Sequence, residues 1–284
     1  MEMFVIAALC GVGVGVLSGL LGIGGGVVMV PLFRLAFGLE PIAATATSLF
    51  TIIPTSLSGM VKHVRNKTCV VRVGVVCGLA GACLSPVGVM AAAASPTWLV
   101  MAAAASIIAY SAFTMLKKAF AAPKRAKKGP SASAPAPAPA PAPAASATPA
   151  ENQVYAAPAF TFAFVMKVIA IGVIAGFMSG YVGVGGGFIM VPLFMAMLGV
   201  PMRLASGTSL LAVCILAVPG AVEQGLLGNI DYLVGIATAA GSIPGAFLGA
   251  SLVKRAPERA LRFVFAGFLM VAAVVLVVNE LGVL

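Results

Sequence analysis

Acid is scarce in this chain. Seven Asp and Glu are spread over 284 residues, beside 17 Lys and Arg, and charged residues make up only 8% of the whole. Soluble domains carry roughly a quarter. All seven acids lie near the ends of apolar segments or in loops. A cation carrier or proton pump normally needs a carboxylate inside the membrane, so that class is disfavoured. Histidine is nearly absent too. His63 stands alone, after Lys62 and with no acid beside it. No nucleophile–base pair is visible, and the chain is read as not an enzyme. The five cysteines, Cys10, Cys69, Cys77, Cys83 and Cys214, are odd in number and show no CxxC spacing. That excludes a disulfide framework and a thiolate metal site, and no metal or cofactor is expected.

The composition that remains is that of a membrane protein. Hydrophobic residues reach 61% and the mean hydropathy is +1.14. Spans need about 20 apolar residues at a rise of 1.5 Å each. Such stretches fall at 3–22, 42–61, 73–94 and 97–116, and again at 161–183, 203–222, 232–253 and 263–280. The first is read as a span and not as a cleaved signal, because Glu2 is the only charge before Arg34 and a signal needs a basic start.

The second set repeats the first. GLLGIGGGVVMVPLF at Gly19–Phe33 returns as GYVGVGGGFIMVPLF at Gly180–Phe194, displaced by 161 residues without a gap. Over Ser18–Leu49 against Ser179–Leu210, 16 of 32 positions are identical. The expected organisation is a first transmembrane repeat over 1–119, a linker over 120–160 and a second repeat over 161–284. The linker is basic first and then alternates Pro and Ala, the composition of an extended tether.

Each repeat also holds a shorter apolar piece, at 26–37 and 187–198, set off by three glycines and carrying Pro31 or Pro192. Charge suggests how the repeats are oriented. The loop after 42–61 carries Lys62, Arg65, Lys67 and Arg72, whereas its counterpart carries Glu223 and Asp231. Around Ser95 there is no charge, whereas the counterpart has Lys254, Arg255, Arg259 and Arg262. Lys and Arg favour the cytoplasmic side. Equivalent loops therefore call for opposite sides, and each repeat needs an odd number of crossings. The predicted fold class is an all-α polytopic membrane protein of two homologous repeats, inverted, five plus five with short Gly-broken helices. With the N-terminus outside, 16 of the 17 basic residues fall inside, Arg34 being the exception. The alternative is four plus four, eight spans in parallel repeats. It answers a weakness of the first: a 12-residue helix covers only about 18 Å of a roughly 30 Å core.

Three glycines in a row, Gly24, Gly25 and Gly26 and again Gly185, Gly186 and Gly187, break an apolar helix. Broken backbone at membrane depth is tolerated where it is buried in protein or lines a cavity. The helix that restarts there presents unpaired N–H groups and a positive dipole end, which suit an anion. Close packing is the plainer use of glycine, and it fits Gly11, Gly15 and Gly19. Hydroxyls follow each motif, at Thr47 and Ser48 and at Thr208 and Ser209. They donate to an oxyanion or bond back to their own helix. Arg203 heads the second Thr-Ser segment, where it attracts an anion or marks the inner face. His63 is an interfacial residue or a proton-coupling group.

The paired motifs, each followed by ATSL or GTSL, resemble the TauE/SafE family, the sulfite-exporter or toluenesulfonate-uptake type permeases. The resemblance covers all but the linker. It implies a multi-pass inner-membrane permease for small organosulfur or sulfur-oxyanion compounds such as sulfite, sulfonates or sulfoacetate. The expected function is a secondary transporter for such an anion, with alternating access around the paired GxGGG breaks. A passive anion channel with the same lining is the alternative. The partners are then the anionic substrate and the lipid bilayer, with no nucleic acid; a homo-oligomer is compatible. The basic linker is expected in the cytoplasm.

Overall fold

The computed structural model describes residues 2–121 and 161–280, and they form ten helices with no strand among them. The linker expected at 120–160 lies almost wholly outside the described residues. The first five helices are α1 (Glu2–Leu21), α2 (Gly26–Phe37), α3 (Pro41–Arg65), α4 (Val71–Ala93) and α5 (Thr97–Ala121). The second five are α6 (Phe162–Val182), α7 (Gly187–Met197), α8 (Met202–Leu226), α9 (Tyr232–Leu252) and α10 (Glu258–Glu280). Seven of them, α1, α3, α4, α5, α6, α8 and α9, are long and apolar enough to cross a membrane. The eighth expected stretch forms the body of α10. The two short pieces are α2 and α7.

Packing crosses between the halves. α1 lies along α9, α6 along α4, and α5 against α10. α3 and α8 touch each other at the centre and are flanked by α9 and α4 respectively. Glycine makes the long contacts close. A Cβ on Gly11, Gly15 or Gly19 would strike the backbone of Thr238, Ser242 or Ala246 in turn, so α1 and α9 run parallel. The glycines at Gly172, Gly176 and Gly180 stand in the same way against Cys77, Gly81 and Ser85, so α6 runs parallel to α4. Small residues spaced by four let two helix backbones approach, and close van der Waals contact replaces the hydrophobic drive that lipid removes.

Polarity is inverted relative to a soluble bundle. Large apolar side chains such as Leu9, Leu79, Met90, Tyr110, Phe162, Leu233 and Leu248 face outward, as a lipid solvent requires. Hydroxyls collect inside, on the two central helices: Thr47, Ser48, Thr51, Thr55 and Ser56 on α3, and Ser206, Thr208 and Ser209 on α8, are all buried.

Candidate functional site

The two glycine breaks sit at the centre of the bundle. In the first, Gly22, Gly24 and Gly25 have φ of 76°, 83° and 90°; in the second, Gly183, Gly185 and Gly186 have 72°, 85° and 64°. A side chain in this left-handed region costs roughly 1–2 kcal/mol per residue, and three such residues within four positions explain the motif. Gly25 and Gly186 are the N-caps of α2 and α7, and neither supplies a side-chain cap.

The breaks meet each other. A Cβ on Gly26 would strike the Val184 carbonyl, and one on Gly187 would lie 2.7 Å from the Ile23 carbonyl and 2.8 Å from that of Gly22. Gly24 and Gly185 share two neighbours, Ile52 at the middle of α3 and Val213 at the middle of α8. Gly24, Gly25, Gly26, Gly185, Gly186 and Gly187 are all buried. The breaks are therefore occluded, each closed by the other's backbone.

Donors remain there. Around the first turn of α2, Val28 and Met29 donate to the Gly25 carbonyl; around that of α7, Ile189 and Met190 donate to Gly186 and Gly187 to Gly185. The N–H groups of Gly26, Val27 and Phe188 take part in none of these bonds. Buried backbone donors are nearly always paired, so unpaired ones at a buried helix start mark a place built for something else.

The hydroxyls divide into two kinds. Thr208 Oγ1 accepts from the Val70 N–H at 2.9 Å and donates to the Leu204 carbonyl at 2.6 Å. Thr47 Oγ1 accepts from the Asp231 N–H at 2.9 Å. Both threonines thus hold the start of a helix from the other half, α4 and α9. Ser209 Oγ donates to the Gly22 carbonyl at 2.7 Å, tying α8 to the first break. Ser48, its counterpart, is fully buried and its Oγ has no partner. Ser18 and Ser179 are likewise buried and unpartnered, each one turn before a break, where its carbonyl accepts from Gly22 or Gly183 at 2.8 Å. Sequence reasoning missed these two. The signal was available, since Ser18 and Ser179 open the aligned block, but a single serine in an apolar helix reads as packing.

Arg203 and His63 lie away from the breaks' centre, at the end of the bundle that holds the basic loops. Arg203 Nη2 donates to the Ala256 carbonyl at 2.8 Å, and beside it the Met202 N–H donates to Glu258 Oε1 at 2.6 Å. His63 is wholly buried. Its Nε2 lies 2.8 Å from the Gly19 carbonyl and its Nδ1 2.8 Å from Thr68 Oγ1. A carbonyl only accepts, so Nε2 carries the proton. All five cysteines are free, and burial pushes the Cys69 thiol, in the α3–α4 loop, up to about 11, leaving it protonated at neutral pH.

A hydroxyl left unpaired in a protein interior costs about 1–3 kcal/mol. Ser18→Ala, Ser48→Ala and Ser179→Ala are therefore expected to leave the melting temperature unchanged or raise it, while weakening anion binding several-fold. Melting curves with and without sulfate test this, and a loss of stability without any change in binding would make the three serines structural.

The family model described as "Sulfite exporter TauE/SafE" matches residues 7–276. The probable membrane transporter protein YunE of Bacillus subtilis is 27% identical over 263 residues, 89% of each chain, and the probable membrane transporter protein YjnA of the same organism is 24% identical over 97% of this chain and all of its own. Sulfite exporter TauE/SafE family protein 3 of Arabidopsis thaliana is 36% identical over 137 residues, 43% of this chain and 28% of that one. No solved structure gives a significant match. The chain is a multi-pass membrane transporter and not an enzyme, and it belongs to the TauE/SafE sulfite exporter family.

Proposed function

We propose that this protein is a secondary transporter of the inner membrane for a small anion of oxidised sulfur, with its site at the paired glycine breaks. One observation carries the reading. Two helix starts with unpaired N–H groups, at Gly26, Val27 and Phe188, meet in the buried core, and the helices beside them, α1, α3 and α6, carry the buried, unpartnered hydroxyls of Ser18, Ser48 and Ser179. Uncharged donors and no carboxylate suit an oxyanion. The family description and the name of the Arabidopsis relative both point to sulfite.

The carrier reading is supported by the closed contact between the breaks. Separation of one half from the other would free the donors toward one side. The inverted five-plus-five arrangement is supported by helix direction. α3 runs in step with α9: Thr51 Oγ1 reaches the Gly235 carbonyl at 3.4 Å, Ser58 Oγ the Ile243 carbonyl at 2.7 Å and Asn66 Nδ2 the Ala250 carbonyl at 3.3 Å. α9 follows α8 through the short connection 227–231 and turns back, so α8 opposes its counterpart α3. With the basic loops on the cytoplasmic side, the N-terminus then lies outside and the 120–160 linker in the cytoplasm.

Uptake of labelled sulfite, sulfate and methanesulfonate into proteoliposomes tests the function. Saturable uptake that is accelerated by internal anion is expected. Single-channel currents without such acceleration would replace the carrier by a passive channel. For topology, Arg65→Cys in a Cys-free protein is expected to resist an external impermeant maleimide, whereas Asn229→Cys reacts; reaction of both from the same side would leave parallel repeats.

A further inference from the structure

The bundle carries a cavity of about 130 Å³ between the starts of α3 and α5 and the ends of α4, α6 and α8. Thr45, Ser95, Tyr181, Gln224 and Asn229 supply its polar atoms, and Ile42 lies at its wall. It reaches toward the site, because Thr45 is also the residue that a Cβ on Gly183 would strike. Gln224 is only 5% exposed. Its Oε1 accepts from Asn229 Nδ2 at 2.7 Å, and its Nε2 donors have no partner. The Tyr181 hydroxyl donates to Ser95 Oγ at 3.2 Å. Among the described residues, no Lys or Arg lines the cavity.

Different side chains stand at the same place in the other half. Displaced by 161 residues, Gln224 becomes His63, Asn229 becomes Thr68, Leu227 becomes Asn66, Ile42 becomes Arg203 and Ser95 becomes Ala256. These residues form a latch. His63 Nε2 donates to the Gly19 carbonyl at 2.8 Å, whereas Gln224 makes no bond to the equivalent Gly180. Arg203 donates to Ala256, and Asn66 to Ala250. Val253 is fully buried there, whereas its counterpart Ala92 is partly exposed in the cavity. One end of the molecule is open and the other bolted, and the difference is written in side chains.

We propose that the cavity at Gln224 and Asn229 is an outer vestibule that binds the permeant oxyanion before it reaches the glycine breaks, while the His63–Asn66–Arg203 latch closes the basic end. This rests on the transport reading above. Amide donors without a cation hold an anion weakly, which suits a station that must pass it on.

The latch can be moved by exchange. Gln224→His with Asn229→Thr places the bolt in the open half, where the imidazole can reach the Gly180 carbonyl. His63→Gln with Thr68→Asn and Arg203→Ile removes it from the closed half. In a full-length Cys-free protein, Ala92→Cys is expected to react with a small maleimide and Val253→Cys to be inert. The first exchange slows labelling at Ala92→Cys at least tenfold; the second speeds labelling at Val253→Cys at least tenfold. Sulfate and methanesulfonate, but not chloride at equal ionic strength, slow labelling at Ala92→Cys in the unexchanged protein. (Sulfite is unsuitable here because it consumes maleimide.) Size-exclusion profiles and melting curves monitor folding; the first exchange alters partly exposed Asn229 and cavity-lining Gln224 and keeps the test alive if the second misfolds. An inert Ala92→Cys, unchanged rates after the exchange, or no slowing by either oxyanion overturns the vestibule. Protection with no flux in proteoliposomes would instead overturn the transport reading and leave the vestibule as an anion site.

Discussion

Gly26→Ala is expected to abolish transport, and Gly187→Ala to reduce it at least a hundredfold, at membrane abundance near that of the wild type. Neither position has a left-handed φ, so backbone strain is not the cause. The added methyl group would collide with main chain from the opposite break: the Val184 carbonyl for Gly26, the Ile23 and Gly22 carbonyls for Gly187. A carbonyl in a tight turn has no rotamer to change. The two breaks must therefore move apart, and with them the N–H groups at the two helix starts. Placement of donors by a fraction of an ångström decides how well they stabilise an anion, and a misplacement of about 1 Å can cost about a hundredfold. Gly13→Ala is the control. It lies on α1, nothing stands within 4 Å of its missing Cβ, and transport is expected to be unchanged. Counterflow in proteoliposomes, normalised to protein, is the measurement. Full transport by Gly26→Ala would mean that the contact between the breaks is packing alone.

Much of this arrangement can be read before any coordinates. The glycines at 22, 24 and 25 and at 183, 185 and 186 announce a helix break because nothing else tolerates three left-handed residues in four. The displacement of 161 residues then places every later helix of the second half by copying the first. The short helices emerge at nearly the expected boundaries, Gly26–Phe37 and Gly187–Met197, because a Gly start and a Gly or turn end bound them on both sides. What the sequence hides is partnership. Nothing in the periodicity of α1 says that it packs on α9 and not on its neighbour α2, since lipid-facing and helix-facing residues are equally apolar. Only the glycine spacing at Gly11, Gly15 and Gly19 hints at a close neighbour, and it does not say which.

Hydroxyls are the second thing the sequence cannot sort. Thr47 and Ser48 are adjacent and both buried, yet a helix turns 100° between them. Thr47 faces α9 and accepts from the Asp231 N–H. Ser48 has no partner. Residue type and position are the same for a ligand contact and for a structural clip, and only the neighbours distinguish them. The same holds for Arg203, whose charge reads as anion-seeking: its Nη2 donates to the Ala256 carbonyl, while its Nε is buried without a partner.

Thr47→Val and Thr208→Val are accordingly expected to destabilise the fold, each by about 1–3 kcal/mol, with little effect on substrate affinity. Valine keeps the shape of threonine and removes the acceptor. The Asp231 N–H and the Val70 N–H, each just before a helix, would lose their partners in a part-buried setting, and an unsatisfied buried donor costs that much. The two threonines are counterparts in the repeat and act on different helices, α9 and α4. They are far enough apart in sequence and in bonding to share no partner, so the double variant is expected to add the two losses. Thr47→Ser and Thr208→Ser keep the oxygen and are expected to recover most of the stability, which separates the hydrogen bond from the methyl group's packing. Thermal melting in detergent measures the loss, and melting in the presence of sulfate measures binding. If the valine variants melt like the wild type but lose the stabilisation by sulfate, the threonines contact the anion directly, and the hydrogen bonds to Asp231 and Val70 belong only to the closed state of the transporter.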